Sequence, residues 1–188
     1  IYWATCNVGA DKPEDEGSYF AWGETVGYTI YTIDRHKFDW WTYKWCNGSY
    51  NSMTKYCTSS SYGKVDNKKV LDPEDDAAHV NWGGDWRMPT YDELNLLKTK
   101  CTWTWDSTKH GYTVKGPNGN SLFLPAAGYR RDSRLRYVGS NGCYWSSSLN
   151  TSNSDEADDL NFSSESFNWD IHNRCDGQSV RAVCVSAE

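Results

Sequence analysis

Cysteine and histidine side chains offer the widest range of chemistry in this sequence, and their spacing limits which reactions to consider. None of the seven cysteines belongs to a C-x-x-C pair, so the spacing indicates neither a zinc ribbon nor a thioredoxin-type redox site. The four histidines are scattered, and the sequence contains no H-x-H, H-E-x-x-H or G-x-S-x-G motif. We therefore predict no catalytic residue, no metal site and no cofactor.

The cysteines are better explained as disulfide partners in an exported protein, because oxidising compartments favour such bonds. Cys46 and Cys57 flank a stretch rich in Gly, Asn and Ser, and a bond between them would close that loop. An odd number of cysteines leaves at least one thiol free or paired with another chain.

Composition and charge narrow the class of protein further. Aliphatic residues are scarce, but 11 Trp and 13 Tyr can build a core, because a buried ring removes roughly 150–250 Å² from water. The net charge of −6 argues against a nucleic-acid partner, and no apolar run reaches the roughly 18–20 residues that span a membrane. The length of 188 residues predicts one domain, 1–188, which we expect to belong to a longer exported polypeptide.

Two helices are predicted from capping signals. Asp72 supplies a candidate N-cap before Pro73 at the first helical position, and this helix should continue through His79. A capping box, in which a Thr and a Glu three residues later bond each other's backbone, opens a second helix at Thr90. The buried stripe of that second helix should consist of Leu94, Leu97 and Cys101.

Antiparallel strands are predicted in the rest of the chain. The chain opens with a strand at 1–5 and closes with one at 179–185, and we expect the last strand to return beside the first. Two hairpins lie between them, so the order of elements predicts an α+β fold. The hairpin strands are 112–115 with 121–124, and 157–162 with 167–171.

Six segments in consistent order carry a family resemblance. They are Trp3–Ala10, Tyr19–Glu24, Trp82–Thr90, Leu124–Arg130, Tyr144–Ser148 and Gly177–Cys184. Together they resemble the Fibrobacter succinogenes major paralogous domain, a group common in exported proteins of gut Bacteroidetes. The resemblance implies a C-type-lectin-like fold, with two helices, small antiparallel sheets and long irregular loops, related to the formylglycine-generating enzymes.

The stretch from Gly128 to Cys184 also resembles the variable segment of proteins targeted by diversity-generating retroelements. In those proteins a reverse transcriptase rewrites adenine-bearing codons, while scaffold codons stay fixed. The resemblance implies a ligand-binding surface on residues 130–176. Its contact residues would be Arg131, Arg134, Arg136, Tyr137, Cys143, Asp155, Asp159, Ser164, Phe167, Asn168, Asp170, Ile171, His172, Asn173, Cys175 and Asp176.

Strand alternation separates framework from contact positions in this segment. Asp159 and Asn161 should point outward, and residues 170–176, which lack any period, should form an irregular contact loop. Outward residues should each be within about 0.5 kcal/mol of neutral to folding. The arginines between 130 and 136 form a basic cluster that suits an acidic partner or charged glycan, or only solubilises the surface. The expected framework residues are Trp145, Trp169, Leu160, Phe162, Val180 and Ala182.

These observations favour a non-enzymatic receptor-binding or adhesive domain that recognises a protein or cell-surface ligand. We expect it outside the cytoplasm, on a bacterial surface or a phage particle. One alternative is an oxidase like the formylglycine-generating enzymes, which hold copper between two cysteines. Cys175 and Cys184 are the nearest counterparts here, but their surroundings differ.

A glycan-binding surface lectin is the other alternative. Calcium binding would use Asp72, Asp75 and Asp76, although these acids are better explained as residues at a helix start. The tryptophans at 40, 41 and 45 offer a platform for stacking sugars, but packing of their rings onto the core is the simpler interpretation.

Overall fold

The structure, a computed structural model, describes residues 1–185, so the last three residues of the predicted domain 1–188 lie outside it. It shows a mixed α/β chain with two helices and several small antiparallel sheets, compatible with the predicted α+β class. The helices are α1 (Ala77–Trp82) and α2 (Tyr91–Lys100), with 3-10 turns at Ile30–Arg35 and Pro73–Asp75. The strands are β1 (Tyr2–Trp3), β2 (Trp86–Arg87), β3 (Thr102–Asp106), β4 (Gly111–Lys115), β5 (Ser121–Pro125), β6 (Tyr129–Arg131), β7 (Arg134–Arg136), β8 (Asn141–Leu149), β9 (Glu156–Ser163), β10 (Phe167–Asn173) and β11 (Val183–Cys184).

Helix α2 begins as predicted. The Thr90 side chain accepts a hydrogen bond from the Glu93 amide at 3.3 Å, and the Glu93 carboxylate accepts one from the Thr90 amide at 2.9 Å. Leu94 and Leu97 are buried, whereas Cys101 lies just past the helix and is half-buried. The capping box is confirmed, and the buried stripe is shorter than predicted.

Helix α1 begins four residues later than predicted. Asp76 is its N-cap, with a carboxylate oxygen that accepts from the amides of Ala78 at 2.9 Å and His79 at 3.0 Å. Asp72 starts only the short 3-10 turn and makes no capping bond, so the prediction of Asp72 as N-cap is wrong. Its carboxylate pairs instead with Lys55 at 2.9 Å and Lys68 at 2.8 Å.

Both predicted hairpins are confirmed. β4 pairs with β5 up to Lys115 opposite Ser121, and β9 pairs with β10 from Phe162 opposite Phe167. β8 adds to the other edge of β9, which gives a sheet in the order β10–β9–β8. This sheet holds most of the segment 130–176.

The first and last strands pair as expected, in a sheet ordered β1–β11–β2. The last strand is shorter than predicted, because Val180 and Ala182 bond to irregular chain near the N-terminus instead of a regular partner strand. The carbonyls of Val180 and Ala182 accept hydrogen bonds from the amides of Val8 and Ala4, both at 2.9 Å. Hydrogen bonds to Val180 and Ala182 therefore hold the N-terminal segment in place.

Aromatic side chains fill much of the interior, as the composition predicts. Trp22 and Trp145 are fully buried, and each satisfies its indole N–H with a backbone carbonyl. The acceptors are Ser146 at 2.9 Å for Trp22 and Phe20 at 2.8 Å for Trp145. Because both polar atoms are bonded, the two rings supply apolar burial without an unsatisfied donor.

The irregular segment 31–70 packs most of its rings inward. Trp40 and Trp45 contact a buried cluster around Phe38, so the expected packing onto the core is confirmed for these two residues. Trp41 differs, because 85% of its surface is exposed.

Arg174 ties this irregular segment to the C-terminal sheet. Its fully buried guanidinium donates to the Tyr43 hydroxyl at 3.0 Å and to three backbone carbonyls. Those carbonyls belong to Tyr56 at 2.8 Å, Ser154 at 2.9 Å and Lys55 at 2.8 Å. One side chain thereby satisfies acceptors from two distant parts of the chain.

No disulfide links any of the seven cysteines, all of which lie within the described residues. The bond considered between Cys46 and Cys57 is not formed, and each thiol instead donates to a nearby carbonyl oxygen. Cys46 donates to Trp40 and Cys57 donates to Ser59, both at 3.1 Å.

Candidate functional site

The sheet of β8, β9 and β10 has two faces with different chemistry. On the core face, Leu160 and Phe162 are buried, as predicted. Trp169 covers them from the edge strand, half-buried, and its ring lies 4.0 Å from that of Tyr91. Its indole N–H donates to Asn95 at 3.2 Å. Trp169 thus belongs to the framework, as expected.

The opposite face of this sheet carries polar side chains from all three strands. The register places Cys143 opposite Asn161 and Asp159 opposite Asp170, and places Asn168 beside Asn161. Because alternate residues of a strand point the same way, these side chains share one face, which we call the polar face. Its remaining member on β10 is His172.

The β6–β7 hairpin brings further predicted residues to the polar face. The Tyr129 ring lies 5.3 Å from the His172 ring and 6.0 Å from the Tyr137 ring. Arg131 lies over Tyr129 at 5.4 Å and pairs with Asp176 at 2.7 Å. The predicted contact residues Arg131, Tyr137, His172 and Asp176 are therefore close in space.

A buried ion pair lies at the centre of the polar face. His172 Nδ1 is 3.2 Å from Oδ1 and 3.0 Å from Oδ2 of Asp159. Burial raises the pKa of Asp159, although the hydrogen bond with His172 opposes that shift. Burial alone would lower the pKa of His172, but the bond to Asp159 and the charges of Asp159, Asp170 and Asp176 raise it.

A shallow pocket of about 170 Å³ opens at the hairpin end of the polar face. Most of its lining residues carry amide, hydroxyl or carboxylate side chains. The lining residues are Asn141, Asn161, Phe162, Ser163, Ser166, Asn168, Trp169 and Asp170.

Several residues expected to point outward are buried. Strand alternation assigns side chains to one face of the sheet or the other, but it does not reveal whether other parts of the chain cover a face. Trp145 lies opposite Asp159 on that face and packs into a buried cluster, and the Tyr129 ring lies 5.3 Å from the His172 ring, so other parts of the chain cover the polar face there. The predicted outward position is wrong for Cys143, Asp159, Cys175 and Asp176.

The predicted irregular contact loop at 170–176 is also wrong. Strand β10 continues to Asn173, and the next three residues are buried. The arginines between 130 and 136 do not form one exposed basic patch, so that prediction is wrong. Arg130 is buried against Phe38, and Arg131 is paired with Asp176. The hairpin tip keeps Arg134 exposed, and Arg136 is half-buried.

Other predicted contact residues lie away from the polar face. Phe167 belongs to the core face and stacks on Trp103 at 4.6 Å. Ile171 lies on the same face of the sheet as Phe167 and is partly exposed. Asp155 is half-buried and accepts from the Arg174 amide at 3.0 Å through its carbonyl. Ser164 is exposed in the β9–β10 turn, and Asn173 ends β10, half-buried.

Sequence reasoning did not include several residues that line the polar face or its pocket. Alternation had placed Asn161 outward, so its role as a lining residue was accessible from the pattern. Tyr129 and Asn141 depend on tertiary pairing, for which the sequence carries no local signal. The other pocket residues not predicted as contacts are Ser163 and Ser166, which lie at the β9–β10 turn, and the expected framework residues Phe162 and Trp169.

Cys143, His172 and Asp159 share one face, which is the residue set of a nucleophile, a base and a carboxylate. Cys143 is only 1% exposed, and burial raises its pKa well above the usual value. Burial likewise raises the pKa of Cys175, the candidate copper ligand. Since the thiolate is the reactive and metal-binding form, these environments do not favour either chemistry.

The acids considered for calcium have protein partners. Asp72 and Asp75 both pair with Lys55, and the Asp76 carboxylate accepts from the amides at the start of α1. Within residues 1–185, no group of three or more His, Cys, Asp or Glu side chains is placed to hold a metal ion. In the same residues, neither helix has the length and apolar character needed to cross a membrane.

Comparisons of this chain with family models, with curated proteins and with solved structures found no match. No relative therefore supplies an activity or a ligand.

The His172–Asp159 pair should make stability depend on pH. Because the pKa of His172 is raised on folding, its stabilising contribution is full below its unfolded pKa of about 6.5. That contribution is lost as the pH rises through the folded value. His172→Gln should therefore cost more unfolding free energy at about pH 5.5 than at about pH 8.5, measured by urea denaturation. His110→Gln, at an exposed position, is the control; a cost independent of pH for His172→Gln would contradict the assignment.

Proposed function

We propose that this chain is a ligand-binding domain that recognises a protein or cell-surface ligand through its segment 130–176. We further propose a C-type-lectin-like fold and membership of the family that the six segments resemble. The pairing of β1 with β11, the two helices and the long irregular segment 31–70 support that fold.

One observation carries the functional proposal. Exposed polar and aromatic side chains lie on and beside a sheet whose framework residues are buried or half-buried. Tyr137 is 58% exposed, and Asn168 and Asp170 are exposed on the polar face, whereas Trp145 in the same sheet is completely buried. Such a separation allows contact side chains to change at little cost to folding.

The proposed contact set is smaller than the segment as a whole. It combines the exposed side chains of the polar face with those of the β6–β7 hairpin. Buried residues beneath them, such as Asp159, hold the face in shape and do not touch the ligand. The proposed contacts are Arg131, Arg134, Tyr137, Asn168 and Asp170.

The proposal requires no catalytic group and no cofactor. We also propose that the protein acts outside the cytoplasm, on a bacterial surface or a phage particle, as part of a longer exported polypeptide. The family resemblance supports this location. The cysteines do not add to it, because none of them forms a disulfide.

Deep sequencing of codons 128–188 in a population of the source organism tests the proposal. We expect substitutions to concentrate at Arg134, Tyr137, Asn168 and Asp170, while Trp145 stays constant. Enrichment of substitutions at these exposed codons over buried codons would support a diversified binding surface. A uniform sequence, or substitutions spread evenly over exposed and buried codons, would contradict it.

A further inference from the structure

The pocket on the polar face is lined mainly by polar residues and by no basic residue. Residues with carboxamide, hydroxyl and carboxylate side chains on β8, β9, β10 and the β9–β10 turn line its volume of about 170 Å³. These groups can all accept hydrogen bonds. The polar residues that line it are Asn141, Asn161, Ser163, Ser166, Asn168 and Asp170.

Asp170 gives this pocket a negative charge. It is exposed, and its carboxylate accepts from the Asn161 amide nitrogen at 3.2 Å and from the Ile171 amide at 2.9 Å. Within residues 1–185 it forms no ion pair. The two acids beneath it have cations of their own, since Asp159 pairs with His172 and Asp176 with Arg131.

An aromatic rim adjoins the pocket. The Tyr137 carbonyl accepts from the amide of Asn141, a lining residue, at 2.9 Å. Tyr137 has φ of +58°, a conformation that bulky residues rarely adopt, and its ring is exposed beside Tyr129. Backbone strain of this kind clusters at binding sites. An exposed ring next to a residue that lines an acidic pocket suits a cation with an aliphatic stem.

We infer that this pocket binds a cationic side chain, Lys or Arg, of a protein partner. Asp170 pairs with the charge, the Asn and Ser oxygens accept the remaining N–H groups, and Tyr137 packs on the stem. The inference rests on the proposed function and names the ligand chemistry of its surface. A saccharide would also bond amides and hydroxyls, but it would bring no positive charge to Asp170. The net charge of −6 further favours approach of a basic protein.

Titration of the ¹⁵N-labelled protein with small probes, followed by NMR, tests this inference. The probes are the Nα-acetyl methylamides of lysine, arginine and norleucine, and methyl α-mannoside. The two cationic probes should shift the side-chain amide signals of Asn161 and Asn168, and norleucine, which has a similar stem but no charge, should not. Asp170→Asn should weaken binding of the cationic probes about five- to tenfold. Asp158→Asn makes the same charge change, but on the other face of the sheet, so it should leave the binding of the cationic probes unchanged.

Several outcomes would overturn the inference. These are equal shifts with norleucine, shifts with the mannoside alone, no shift with either cation, or full binding by a folded Asp170→Asn variant. The outcome is separable from that of the sequencing experiment. If the protein binds the cationic probes but the gene is uniform, the cation pocket is supported and the diversified surface is contradicted. If the contact codons vary but no cationic probe binds, the diversified surface is supported and the cation pocket is contradicted.

Discussion

Arg174→Met should destabilise the protein by at least about 4 kcal/mol, because four bonded acceptors lose a charged donor in the interior. The side chain is fully buried and lies over the Trp22 ring at 5.0 Å as well as bonding Tyr43, Tyr56, Ser154 and Lys55. A loss of that size is a large part of the stability of a typical domain. Chemical denaturation of wild type and variant, or failure of the variant to fold, measures it.

Arg134→Met is the matched control for that experiment. It removes the same charge from the same C-terminal segment, but from the exposed tip of the β6–β7 hairpin. Its effect should stay within about 0.5 kcal/mol. If the two variants lost similar stability, the assignment of Arg174 as the internal tie would be wrong.

Trp145→Ala should cost about 3–5 kcal/mol of unfolding free energy. The ring is fully buried among aromatic and aliphatic neighbours, and its removal also leaves the Phe20 carbonyl without its 2.8 Å bond. The midpoint of a denaturant titration, together with an unchanged slope, measures the loss.

Trp41→Ala provides the comparison within the same residue type. Because 85% of Trp41 is exposed, this variant should lie within about 0.5 kcal/mol of wild type. Equal destabilisation by the two substitutions would contradict the division between framework and surface rings. Trp41 is also a useful reporter, since its fluorescence can be removed without disturbing the fold.

Local rules predicted those parts of the fold that local interactions determine. The capping box at Thr90 and the two hairpins needed only nearby residues, and both were confirmed. The start of α1 was misplaced because Asp72 and Asp76 are equally good caps in sequence. Asp76 is the cap in the structure because its carboxylate also accepts from the Met88 amide, at 2.9 Å and 3.1 Å, a contact that only the fold creates.

The candidate site was predicted only in part, for a related reason. Asn168 and Asp170 follow strand alternation on an edge strand, which the pattern can describe. Asp159 obeys the same alternation, but it is buried because other parts of the chain cover its side of the sheet. Burial of a sheet face depends on residues distant in sequence, and a single sequence does not specify which residues will lie there.

Contacts between the two ends of this chain also determine when a growing chain can complete its structure. Arg181 donates a hydrogen bond to Asn7 at 2.9 Å, and the two residues are 174 positions apart in sequence. Arg174 donates one to the Tyr56 carbonyl, 118 positions away. Residues near the start must therefore wait for almost the entire chain before their partners exist. Contacts so distant in sequence slow folding, and the aromatic segments made first stay uncovered in the meantime. This domain thus becomes stable as a unit, once residues 174–181 have been made.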